Sequence, residues 1–136
     1  MPVPLVKFNS FVESLAEKQH DLGADQLEIA LSASAPSTSN TQLSNITQIS
    51  YSNLSARAVT TVSSSQTAGV YKLILQDLVL YATGTVATFR YIILFNQTSA
   101  SDLLIGYYDY GSNVSLNNGE TFTIDFDGTN GALSIA

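Results

Sequence analysis

The amino-acid sequence predicts an all-β domain, an antiparallel sandwich or distorted barrel of about seven or eight strands with one short N-terminal α-helix. Three observations carry that expectation. The apolar period is 3.6 only near the N-terminus and falls to 2 soon afterwards. From Ala56 onward, β-branched and aromatic runs recur at intervals of roughly 8–15 residues, separated by clusters rich in Gly, Asn and Asp. No stretch alternates strand with helix as βαβ units do.

The helix is read from Phe8, Phe11, Val12 and Leu15, whose i, i+3, i+4, i+7 spacing makes one apolar stripe. Ser10 and Glu13 have the spacing of a capping box, and Gly23, after Asp21 and Leu22, suits the residue past a helix end. The expected helix spans 10–20, its stripe packed on an open face or end of the sheet. Residues 1–8, with two prolines, are expected to form an extended arm.

Leu27, Ile29 and Leu31 then alternate with Gln26, Glu28 and Ala30, the pattern of a half-buried strand. Residues 32–40 have loop composition. Leu43, Ile46 and Ile49 fit either a helical turn or a short strand. Further strands are expected over 58–64, 70–75, 78–83, 89–95, 103–110, 121–126 and 132–135. The turns between them are Gln66-Thr67-Ala68-Gly69, the region of Gly84, the polar loop 96–102, Gly111-Ser112-Asn113, the hairpin signal Asn117-Asn118-Gly119, and 127–131. No repeat or linker divides the chain, so residues 1–136 are read as a single domain.

Composition excludes several functions. Five Lys+Arg against eleven Asp+Glu give a net charge of −6, unsuited to holding nucleic acid through its phosphates. No cysteine means no disulfide, thiol nucleophile or thiolate metal site, and one histidine precludes a His-rich metal cluster. No apolar run approaches the ~20 residues needed to span a bilayer. The first eight residues are too poor in apolar side chains for a signal peptide, so synthesis and use without export are expected. The Asn-x-Ser/Thr sequons at Asn45, Asn53, Asn96 and Asn113 are read as chance in a chain rich in Ser, Thr and Asn.

Chemistry-bearing residues are few. His20 is expected at a solvated helix end, favoured there by the helix dipole. Asp125-Phe126-Asp127-Gly128 resembles the start of a calcium loop, but its Gly comes two positions early and no Glu follows to close the site. Asp109 and Glu120 join Asp125 and Asp127 only if the last three strands pair as hairpins. No pair of carboxylates stands out for glycoside hydrolysis, and no nucleophile elbow, P-loop or dinucleotide fingerprint occurs. No catalytic residue, cofactor or metal is therefore expected. Tyr107, Tyr108 and Tyr110 are the candidate interface: adjacent tyrosines on a strand face opposite ways, and tyrosine suits subunit contacts. After Arg90 the chain has no basic residue, leaving Asp102, Asp109, Glu120, Asp125 and Asp127 as an acidic end.

Several segments, in their order, carry a resemblance. They are VKFNSFVESLAEKQHDLGADQLEIALSASAPS, GVYKLILQDLVLYATG, FRYIILFNQT, LLIGYYDYG and NNGETFTIDFDGTNGALSIA. Together they resemble a group of small structural proteins of tailed bacteriophages; residues 51–61 match it least. The resemblance implies a virion component, made in the host cytoplasm, with no catalytic residue to carry over. It suits a capsid decoration (cement) protein that binds the major capsid protein as a homo-oligomer, a trimer or a ring. It also suits a tail or neck ring component. A carbohydrate-binding β-sandwich for receptor recognition is a further alternative, weakened by the absence of Trp.

Overall fold

The computed structural model describes residues 3–136. It is all-β with one short helix, as the sequence predicts, but the strands number ten: Val6–Lys7 (β1), Leu27–Ser32 (β2), Ala58–Val59 (β3), Thr61–Thr67 (β4), Val70–Leu75 (β5), Leu78–Tyr81 (β6), Phe89–Asn96 (β7), Leu103–Val114 (β8), Thr121–Ile124 (β9) and Leu133–Ile135 (β10). The helix, Asn9–Ala16 (α1), lies between β1 and β2. Three antiparallel sheets result, in the orders β1-β8-β7-β2-β3, β10-β5-β4 and β6-β9.

The five-stranded sheet is the middle layer. One face supplies Ile29, Leu31, Ile92, Leu94 and Ile105 to the main core, where Leu73 and Leu75 of β5, Leu80 of β6 and Ile124 of β9 meet them. The opposite face supplies Ala30, Ile93, Phe95 and Leu104 to a second cluster with Phe8 and Ile46. A loop closes that second face. Its only regular piece is a 3-10 turn at Leu43–Asn45, which resolves the Leu43/Ile46/Ile49 ambiguity in favour of a helical turn. Coverage on both faces is why Ile92, Ile93, Leu94 and Phe95 are apolar at consecutive positions, since each of these side chains leaves water.

Several expectations are corrected. The helix ends at Ala16, not near His20, and it begins after Phe8, with no side-chain cap; Ser10 is inside the first turn and no capping box forms there. The helix stop is a Schellman motif at Lys18, which takes φ +69. Gln19 N–H donates to Ser14 O and Lys18 N–H to Leu15 O, satisfying the last carbonyls five residues before Gly23. The apolar stripe also divides. Phe8 enters the second cluster, Phe11 the main core, and Val12 stays 53% exposed.

The run 58–64 is two strands. β3 pairs with β2, and after Thr60 the chain crosses the sandwich so that β4 pairs with β5. The Ala68-Gly69 turn joins β4 to β5 with φ +52 and +82 at its two residues, the type I′ pattern that matches strand twist. The Asn117-Asn118-Gly119 turn joins no hairpin. β8 pairs with β7 and β1, β9 with β6, and β10 with β5, so the last three strands belong to three sheets. Gly111-Ser112-Asn113 is no strand end either, because β8 continues to Val114.

Residues 3–8 run against the domain itself. Val6 pairs with Tyr107 and Lys7 with Gly106. The Leu5 side chain sits over Gly106, where an added Cβ would come within 2.8 Å of it. Glycine at this strand position makes the seat for Leu5. Met1 and Pro2 of the expected arm lie outside the described residues.

Candidate interaction surface

Strand alternation places the three tyrosines, and they do not make one patch. Tyr107 faces the second cluster, its ring centroid 5.5 Å from that of Phe8. Tyr108 faces the main core and is 5% exposed, packed at 6.2 Å from Phe126. Burial pushes the Tyr108 hydroxyl pKa up to about 12, with the Asp127 charge adding to the effect. Tyr110 is the most open of the three, at 42% exposure, while Tyr107 is half-buried.

Tyr110 stands at the start of a distortion in β8. Tyr91 pairs with Asp109 and Phe89 with Val114, so residues 110–113 lie opposite Arg90 alone. A bulge of this kind re-aims side chains away from the ladder. Two contacts pin its base. Arg90 Nε and Nη2 donate to Asp109 Oδ1 and Oδ2 at 2.8 and 3.1 Å, a bidentate pair. Asp109 Oδ1 also accepts Gly111 N–H at 2.8 Å, and Gly111 takes φ +95, a conformation glycine adopts freely. These hydrogen bonds, Arg90 first, hold the Asp109 carboxyl below the usual carboxylate range. The Tyr110 ring meets Phe122 edge-on at 5.2 Å, so the phenol is braced from beneath while one side remains in water. Tyr81, on the β6 strand of the same two-stranded sheet, is 56% exposed. Tyr81 pairs with Thr121 on the face of that sheet opposite Phe122, so Tyr110 stands apart from it.

His20 is the residue that sequence reasoning misplaced. It is buried, 7% exposed, with Phe11 at 5.2 Å. Asn96, fully buried at the end of β7, holds it. Asn96 Oδ1 accepts the N–H groups of Thr98 and Ser99, which fixes the amide orientation. Its Nδ2 therefore donates to His20 Nδ1 at 3.0 Å and to Asp25 Oδ2 at 2.6 Å. Nδ1 being the acceptor, the neutral ring carries its proton on Nε2, and that atom has no hydrogen-bond partner. Burial lowers the His20 pKa, opposed by the Asp25 carboxylate. With one nitrogen engaged and the other protonated, the imidazole has no lone pair to act as a base. The network ties the end of α1 to the β7–β8 loop. Its partners come from positions 20, 25 and 96, a separation that no local pattern reveals. The burial of Asn96 also removes its sequon from modification.

The four acidic positions do not form one cluster, although Asp125 and Asp127 line a common recess with Tyr108. Asp109 is bound to Arg90, and Glu120 Oε1 accepts Asn117 N–H. Asp127 caps its own turn, accepting the N–H groups of Asn130 and Thr129 and the Asn130 side-chain amide; these bonds lower its pKa. Asp125 and Asp127 flank the buried Phe126 beyond the end of β9. Among the described residues no group of three or more His, Asp or Glu side chains gathers as a metal site. No helix among them is long and apolar enough to cross a membrane.

No family model matches the chain, no curated protein matches it, and no solved structure matches it.

Proposed function

We propose that the protein is a structural component of a bacteriophage virion, a capsid decoration protein that binds the assembled lattice of the major capsid protein. The carrying observation is the braced Tyr110 surface, 42% exposed on a bulge pinned by Arg90 and Asp109. A preorganised aromatic contact loses little conformational entropy on binding, which favours recurrent protein contacts. The ordered likeness of the chain's segments to small phage structural proteins supports the same reading. Decoration that recognises only the assembled shell stabilises it by mass action, and a homo-oligomer multiplies modest contacts through avidity.

Immunogold electron microscopy of purified particles, with antibody against this domain, tests the proposal. Label over the icosahedral heads is the expected result. Label confined to the tail or neck would replace decoration with a ring component. Absence of the protein from the particles by mass spectrometry would overturn the virion reading altogether.

A further inference from the structure

The sandwich is open along one side. β1 is the outer strand of the five-stranded sheet and β10 the outer strand of the three-stranded sheet. The two edges border a single cleft of about 590 Å³, floored by Phe11 and Ile105. Residues 130–135 all line it consecutively. A strand presenting a face would contribute alternate residues; consecutive lining marks a strand presenting its edge. β10 bonds to β5 on its other side, so its cleft-facing peptide groups are an unused ladder.

The cleft walls are apolar and incompletely covered. Val12 is 53% and Ile135 43% exposed, and both line it with Leu15 and Leu133. Through Leu15 and Ile135 it continues into a second recess of about 570 Å³, beside Lys18, Asp21 and His20. His20 forms part of that wall, with its Nε2 buried. Lys7 borders the first recess and Lys18 the second, two of only five basic residues in a chain of net charge −6. The one acid across these two recesses is Asp21, at the far end.

We propose that this cleft receives an extended segment of a partner polypeptide, which adds as a strand to the free edge of β10. Main-chain hydrogen bonds to β10 supply affinity, and alternate apolar side chains cover Val12, Leu15 and Ile135. Acidic residues flank that apolar stretch and face Lys7 and Lys18. The exposed apolar pair, the unused ladder and the local positive charge each call for one feature of that segment. Strand addition stands apart from the proposed virion role, so either can fail while the other holds.

The probe is the blocked peptide Asp-Val-Thr-Ile-Thr-Val-Asp, titrated into the full chain labelled with 15N and followed by amide chemical shifts. Binding is expected with Kd below about 1 mM, with shifts concentrated at residues 130–135 and in α1. Replacing the central Ile of the peptide with Pro should abolish binding, since Pro breaks the ladder. Lys at both peptide ends should weaken it about threefold or more. Ile135→Asp and Val12→Asp, at positions already in water, should each weaken it about tenfold while leaving the remaining spectrum intact. No shift at about 1 mM peptide overturns the proposal. Equal binding of the Pro peptide overturns strand addition. Concentration-dependent shifts of the same amides without peptide would assign the cleft to a second copy of this chain, and so overturn the partner segment.

Discussion

β7 and β4 are both strands of similar length, and they live in opposite surroundings. β7 lies between β2 and β8, and five of its last five residues are buried. β4 is an outer strand with no buried residue, and Val62 on it is 62% exposed. The sequences differ accordingly, FRYIILFN against TVSSSQT. Four consecutive apolar residues, Ile92 to Phe95, require cover on both faces; a Ser/Thr run satisfies water and tolerates an open edge. The fold thus concentrates its burial in the central sheet and leaves its exposed apolar side chains at the periphery: Tyr110 on the bulge, Val62 on β4, and Val12 and Ile135 at the cleft.

The largest test of this division removes core volume from β7. Phe95 is 1% exposed in the second cluster, and Phe95→Ala should cost about 3–5 kcal/mol in denaturant unfolding. Val62→Ala should stay within about 0.5 kcal/mol. Equal losses at the two positions would erase the contrast.

Smaller effects are expected where the periphery is fastened to the centre. Deleting residues 1–7 removes β1 and the contacts of Val3 and Leu5 with the main core, for about 2 kcal/mol and a fall of about 6–10 °C in Tm. An unchanged Tm would mean that the segment contributes nothing to the isolated domain. Gly106→Ala drives a methyl group into Leu5 and should cost about 1–2 kcal/mol. In a Leu5→Ala background the same change should be neutral or stabilising, because alanine suits a strand better than glycine. Additive losses in that double-mutant cycle would break the assignment of Gly106 as the seat for Leu5.

The pH response of His20 is the smallest. Its pKa is lowered in the folded state, so the unfolded chain takes up the proton first on acidification. Its contribution is complete above about pH 6.5, the unfolded value, and is lost as pH falls from there toward the lower folded value. Urea midpoints measured at about pH 7.5 and 5.5 should decline toward acid in the parent and decline less in His20→Gln. Identical slopes would remove His20 from the titration.

Much of this architecture was legible in the chain. Alternation at Leu27, Ile29 and Leu31, the β-branched and aromatic runs, and the Ala68-Gly69 turn gave strands close to their true positions, because strand formation follows local pattern. Pairing did not follow it. Asn117-Asn118-Gly119 has the local chemistry of a hairpin, yet the chain uses it to leave one sheet for another, a choice made by the core and not by the turn. Lys18 closes the helix in a conformation that glycine usually supplies, so Gly23 misled. His20 looked solvated because its cover, Phe11 and Asn96, is distant or on another element. Of the three candidate tyrosines, alternation correctly separated Tyr107 from Tyr108, but only the bulge, invisible in sequence, left Tyr110 in water.

Native-state hydrogen exchange tests the division between closed centre and open side most directly. Amides of β7 at Ile93, Leu94 and Phe95 should exchange only through global unfolding, whereas those of β10 at Leu133, Ser134 and Ile135 that face the cleft should exchange orders of magnitude faster in the free protein. Protection throughout β10 equal to that of β7 would contradict the account, because it would mean that the edge facing β1 is already closed.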